Sequence, residues 1–313
     1  MSQILLKMMI TMFLLCAAGY IARKMGIIDS AFSKKLSTLI IKIGQPFLII
    51  AAIIGIEYSK EKLISGFIVI GIGTVCHGIM ALIAVIYSSH IKDINKAKIT
   101  KFSLVFANCG FLGLPVVGAL LGEEGLFYGA FYQIPFQLFV WSYGMIVFTR
   151  GRDDIKISPK SLILNYGMIP CFIGIALYIL KPYFILPDFI TSAFNYLGSL
   201  CTPISQLIIG GLIALHPLKV LFSGAGKYAA STVKLVVFPL MFALICKLLG
   251  VGDTMTLFIV TMSALPCATN SVMFGEIYDI APEYAAHLVG VTSILSVATV
   301  PFVVWVAEKI ISL

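Results

Sequence analysis

Ten times along this chain the sequence stays apolar for long enough to cross a lipid bilayer as a helix, and no other feature restricts the fold as much. The runs fall at about 3 to 22, 38 to 56, 63 to 88, 101 to 121, 125 to 148, 161 to 180, 189 to 215, 228 to 249, 254 to 275 and 283 to 307. Only 12% of the 313 residues are charged and 60% are hydrophobic, against roughly 25% charged in a soluble domain. Ten-residue alternating segments of a barrel do not occur, so the expected fold is an all-α polytopic membrane bundle of ten transmembrane helices. The first run is too long for a signal-peptide core and only Lys7 precedes its centre, so it is expected to remain as the first span.

Loop charge sets the expected orientation, because Lys and Arg beside spans stay preferentially in the cytoplasm. Arg23, Lys24, Lys34 and Lys35 fall on one side with Lys92, Lys96, Lys98 and Lys101, then Arg150, Arg152, Lys156 and Lys160, and finally Lys219 and Lys227. The other loops hold little beyond Lys60, Lys62, Lys181 and Lys247. Ten spans then leave both termini outside. One loop disagrees: Glu276, Asp279 and Glu283 are acidic on the expected inner face, where a solvated helix end is the default reading, as it is for Glu123 and Glu124. The net charge of +8 follows from the cytoplasmic loops and implies no nucleic-acid partner. Seven cysteines sit inside apolar runs without C-x-x-C spacing and read as small packing residues, and the four histidines lack metal-ligand spacing, so no metal or cofactor is expected.

Two stretches interrupt the helical pattern. Asn108-Cys109-Gly110-Phe111-Leu112-Gly113-Leu114-Pro115 puts an amide, two glycines and a proline into a span, and Pro115 removes a donor and clashes with the Phe111 carbonyl. The second is Leu265-Pro266-Cys267-Ala268-Thr269-Asn270-Ser271. Freed backbone groups at membrane depth must face protein or water. The two halves also align: Phe13 to Asp29 with Phe172 to Asp188, Gln45-Pro46 with Thr202-Pro203, and Asn108 with Asn270, all at nearly one offset. Five spans separate the copies, so the second is inverted. Inverted repeats with a broken helix in each half are the pattern of secondary transporters, whose site lies near the midplane between the breaks.

The stretch from Asn108 to Pro115, with Gly122, Ala130 to Pro135 and Trp141-Ser142-Tyr143-Gly144, resembles the auxin efflux carrier family, and Ala264-Leu265-Pro266, Phe274-Gly275 and Pro301 form a weaker second motif. The resemblance covers the whole chain. It implies two inverted five-helix repeats whose helices 4 and 9 cross at Pro115 and Pro266. It also implies a scaffold, residues 1–60 and 151–217, and a mobile transport domain of elevator type, residues 61–150 and 218–313. The family is similar in carrying organic anions, auxin in plants and malate, malonate or related carboxylates in bacteria. The loop from Thr149 to Lys160 is short, as in bacterial-type members. The implied partners are a small organic anion, the bilayer of the plasma membrane, and a second copy met through the scaffold.

A carboxylate crossing a membrane needs donors that replace its water, and half-helix N-termini, amides and hydroxyls supply them. Asn108, with Cys109 and Gly110, is the first candidate; Thr269, Asn270 and Ser271 are its counterparts, and an interhelical hydrogen bond is the alternative for either Asn. Pro115 and Pro266 either build the crossing or simply kink their helices. Gln45, Ser205 and Gln206 lie near the same depth beside Pro46 and Pro203, with a headgroup-level role open for Gln45. Gln133 and Gln137 share a helix face as cavity wall or as interhelical glue. For coupling, His77 is the most central titratable residue, or else a neutral bonded one, and Lys234 either attracts the anion or snorkels to the surface. No buried carboxylate pair suggests sodium, so proton-linked or potential-driven movement is expected. The rival readings are a sodium-coupled symporter of bile-acid type, which would call for an acidic residue at the crossing, and a membrane sensor or sterol-binding module, which would bring extra domains. An intramembrane enzyme is not expected, since H-E-x-x-H, G-x-S-x-G and paired intramembrane aspartates are missing.

Overall fold

The computed structural model describes residues 2–151, 164–215, 219 and 223–312, and all regular structure among them is helical. Arg152, Lys156 and Lys160 of the basic loop, and the expected start of the sixth span, lie outside the described residues. The first half contains α1 (Ser2–Lys24), α2 (Ser30–Leu39), α3 (Gln45–Ile54), α4 (Lys60–Ser88), α5 (Ile94–Val105), α6 (Leu114–Phe139) and α7 (Met145–Thr149). The second contains α8 (Met168–Leu180), α9 (Asp188–Ser199), α10 (Cys201–Ile213), α11 (Ala225–Thr232), α12 (Phe238–Leu248), α13 (Asp253–Ala264), α14 (Asn270–Tyr278) and α15 (Pro282–Ser312). Six of the described helical stretches are long and apolar enough to cross a bilayer: Ser30–Ile54, Leu63–Ser88, Cys109–Thr149, Asp188–Ile213, Ala225–Leu248 and Pro282–Ser312. α8 and α13 are apolar but shorter.

Prolines shape these helices differently from what the sequence suggests. Three of the four five-residue π segments among the described residues, Ile40–Gly44, Cys109–Gly113 and Val233–Val237, are each followed, after one intervening residue, by Pro46, Pro115 or Pro239; the fourth is Val140–Gly144. A proline cannot donate to the carbonyl four residues back and its ring crowds it, and a wider turn lets the chain pass the ring without breaking. Pro115 therefore lies within a helix, just inside the start of α6.

The helix fails earlier, at Phe106–Asn108. α5 ends at Val105, Phe106 is extended (φ −96°, ψ 117°), and α13 ends the same way at Leu265 (φ −63°, ψ 151°). The two extended stretches pair antiparallel at Ala107 and Cys267. Asn108 N–H donates to the Pro266 carbonyl at 2.8 Å, and Ala268 N–H to the Phe106 carbonyl at 2.9 Å. Each chain thereby satisfies backbone groups that the other's break exposes, which is the condition for non-helical backbone at membrane depth. Phe102 lies against Phe106 (4.4 Å between centroids) and Phe274 (5.7 Å), so aromatic packing ties both breaks into one core.

Gly122, at φ 64° and ψ −143°, turns the chain within α6. A side chain would strain that left-handed position. The turn falls between the two runs that the sequence separates at 121 and 125. α1 packs on α10, α3 on α8 and α9, and α4 on α5 and α6; α12 and α14 pack against α15, which also reaches α1 and α10.

Candidate functional site

Two helices begin at the paired breaks, the π segment that runs into α6 and the helix α14. Their N-cap positions, Asn108 and Thr269, make no side-chain capping bond. The first amides of a helix have no partner inside it, and uncapped N-termini carry partial positive charge toward whatever lies ahead of them. Here that is a cavity of about 10 Å³ lined by Gln45, Asn108, Cys109, Gly110, Gln133 and Asn270, among others. It has room for about one water molecule. Asn270 Nδ2 and Thr269 Oγ1 are buried without a hydrogen-bond partner. A Cβ on Gly110 would stand 3.5 Å from Gln133 Oε1, in ordinary van der Waals contact. Gln133 Nε2 itself lies 3.9 Å from Cys109 Sγ.

Other candidates from the sequence lie elsewhere. Gln137, one turn beyond Gln133, crowds Gly167 together with Trp141, and its Oε1 is buried without a partner. A helical turn rises about 5.4 Å, enough to carry it past the cavity. Ser271 and Ser205 bond to backbone carbonyls three residues back, those of Ala268 (2.8 Å) and Thr202 (2.9 Å). Gln206 faces a second, apolar cleft of about 580 Å³ between α1, α10 and α15, whose wall Asn108 and Leu112 share. His77 Nδ1 donates to the Gly73 carbonyl at 2.7 Å in its own helix, and its ring is surrounded by Phe106, Tyr132, Phe136 and Phe139.

Lys234 neither snorkels nor lines the cavity. It is fully buried, and Nζ donates to the Leu104 carbonyl at 3.2 Å. Leu104 is in the last turn of α5, where carbonyls lose their intrahelical partners and the dipole is negative. The cation thus closes the broken end of a helix. Glu276 also departs from expectation: it is only 7% exposed, and its Oε2 accepts from Ser37 Oγ at 2.6 Å. The signal for it was the acidic residue on a basic face.

The sequence profile described as membrane transport protein matches residues 4–165 and 155–304. The chain belongs to this family. An uncharacterized transporter of Methanocaldococcus jannaschii is 24% identical over 303 residues, 94% of this chain and 96% of that one. An uncharacterized transporter of Methanothermobacter thermautotrophicus is 22% identical, covering 93% and 95% of the two chains. A Rhizobium meliloti protein provisionally named a malonate transporter is 33% identical over 107 residues, 34% of this chain and 33% of that one. The resemblance carried by Asn108 to Pro115 therefore holds across a membrane transport protein of this length, and the paired breaks belong to a transporter embedded in a membrane.

Proposed function

We propose that this membrane transport protein is a secondary carrier of small organic anions, carboxylates of the malate, malonate or auxin-like kind, working by alternating access. The observation that carries the reading is the placing of two uncapped helix N-termini, with N-cap positions Asn108 and Thr269, at one cavity that Asn108 and Asn270 line and where Asn270 holds an unpartnered amide donor. Neutral donors and helix dipoles hold a carboxylate without the strong trapping that a buried cation would impose. The family membership and the name of the Rhizobium relative support an anionic cargo.

In this reading the chain makes ten passes as two inverted five-helix repeats, with both termini outside. α1–α3 and α8–α10 form the scaffold, and the remaining helices form an elevator-type transport domain. The mutual packing of α1 with α10, and of α3 with α8 and α9, supports that division. A homodimer through the scaffold belongs to the same reading, and the exposed Phe13, Leu14 and Ile21 of α1 offer an apolar face for lipid or for the second copy. Movement is driven by protons or by membrane potential rather than by sodium.

The test is uptake of labelled malonate, malate and indole acetate by proteoliposomes, with sodium, pH and potential varied separately. Asn108→Ala should lower uptake of the transported acid at least about tenfold, the loss of a hydrogen bond to a charged group, while the protein still elutes as a folded species in detergent. Unchanged kinetics in Asn108→Ala would exclude the site.

A further inference from the structure

Glu276 lies outside the anion cavity, and nothing in the substrate site requires it. Its surroundings are nonetheless built. It projects from the last turn of α14 against α2, where Ser33 and Ser37 are one turn apart on the same face and both fully buried. Ser37 Oγ donates to Oε2 at 2.6 Å. Ser33 Oγ lies beside the same carboxyl but completes no hydrogen bond, and at the end of α1 Arg23 donates Nη2 to Ser30 Oγ at 2.8 Å while its buried Nη1 has no partner. The site thus holds one carboxyl, one bonded hydroxyl and a second hydroxyl in reserve, with the Arg23 charge acting on it.

The charges acting on Glu276 come from the same side, Lys34 on α2 and Arg23 on α1. The other helices packed on this end of α14 meet it through apolar groups, Ile99 of α5 and Pro282 of α15. Several titratable residues on those helices are engaged elsewhere. Lys96 pairs with Asp93 at 3.6 Å, Lys98 donates to the carbonyls of Phe148 and Arg150, and Glu283 and His287 line a separate cavity beside Tyr87. The positive charges of Lys34 and Arg23 that act on the carboxyl disfavour a metal ion there, and a proton is the ligand that the group can take.

We propose that Glu276 is a proton-binding site that latches α14 to α2: the carboxylate holds the two helices together, and protonation releases them. The step takes one proton from hydronium in the bulk solution, leaving water and turning the carboxylate into a carboxylic acid. That cancels the charge which Ser37, Arg23 and Lys34 serve. A buried carboxylate parted from such donors would stand uncompensated, a state that costs several kcal/mol, so separating α14 from α2 requires the proton. Resting on the carrier reading, in which α2 is scaffold and α14 moves, the latch ties each crossing of the mobile half to a proton.

The contact is measured without any substrate, by hydrogen–deuterium exchange of the full chain in nanodiscs, corrected for the intrinsic pH dependence of exchange. In the wild type, protection of residues 30–39 and 270–278 should fall at least about fivefold from pH 8 to pH 5, the mark of a local opening. Glu276→Gln, a permanent mimic of the neutral acid, should exchange equally at both values, and Ser37→Ala, a milder change, should start to open at higher pH than the wild type. Wild-type protection that ignores pH, or a Glu276→Gln chain that keeps the wild-type profile, overturns the latch. Should Glu276→Gln fail to fold, Ser37→Ala decides, and an unshifted profile overturns the latch. Malonate uptake into proteoliposomes under an imposed pH gradient is the second arm: gradient-stimulated in the wild type and indifferent to it in Glu276→Gln. Absence of movement of malonate, malate and indole acetate alike in the wild type would count against the carrier reading, while the exchange profile still decides the latch.

Discussion

The hydroxyl of Thr202 donates to the carbonyl of Phe111 across 3.1 Å, and that carbonyl is the one from which Pro115 withholds an amide. A buried carbonyl without a donor costs about 1–3 kcal/mol, and α10 supplies the donor from outside the helix. Thr202→Val keeps the shape and removes the hydroxyl. It should lower stability by about 1 kcal/mol, read as an earlier thermal transition in detergent, and Thr202→Ser should restore most of it.

Lys234 separates two roles that a buried cation can have. If it closes α5 through Leu104, Lys234→Met removes a structural bond and leaves the substrate site unaltered. The expected result is a loss of about 1–3 kcal/mol of stability with KM for the transported acid unchanged. A KM raised tenfold at normal stability would instead make it part of the anion site.

Two glycines predict opposite outcomes. A Cβ on Gly210 would collide with the Cys16 carbonyl, so α1 and α10 touch backbone to backbone there, in the manner of small-residue contacts between membrane helices. Gly210→Ala should cost about 1–3 kcal/mol through overpacking and reduce the yield of folded protein. Gly226, in α11, has open space where its Cβ would be. Gly226→Ala should leave folding intact and raise stability by up to about 1 kcal/mol through helix propensity. Circular dichroism melts of the two variants in one detergent compare them directly.

Asp93 caps α5 from the basic end. Its Oδ1 accepts from the amides of Asn95 at 3.0 Å and Lys96 at 3.1 Å, and the Lys96 amide bond is the first cause holding its carboxyl below the usual range. A depressed folded value means that the stabilisation is complete above the ordinary value of 3.8 and is lost as pH falls through the lower, folded one. Asp93→Ala should speed amide exchange of the first turn of α5 at neutral pH by about fivefold, the loss of an N-cap. The difference from wild type should vanish in acid below the folded value.

The sequence by itself determined the helical class and the presence of two breaks, because hydropathy repeats at bilayer length and because an amide among glycines and prolines cannot pass for a lipid-facing helix. It also marked Asn108 and Asn270 as equivalent. What it could not decide was where backbone freed by a proline would find its partner. Pro115 reads as a break, but a π turn and Thr202 absorb it, while the real interruption falls at Phe106 to Asn108, where no proline stands. That position is set by Pro266 and Ala268, more than 150 residues away. The same holds for Lys234 and Glu276, whose sequence neighbours leave them exposed or snorkelling. Only tertiary contact assigns one to the Leu104 carbonyl and the other to Ser37, because a charge enters a bilayer interior only where packing brings it a partner.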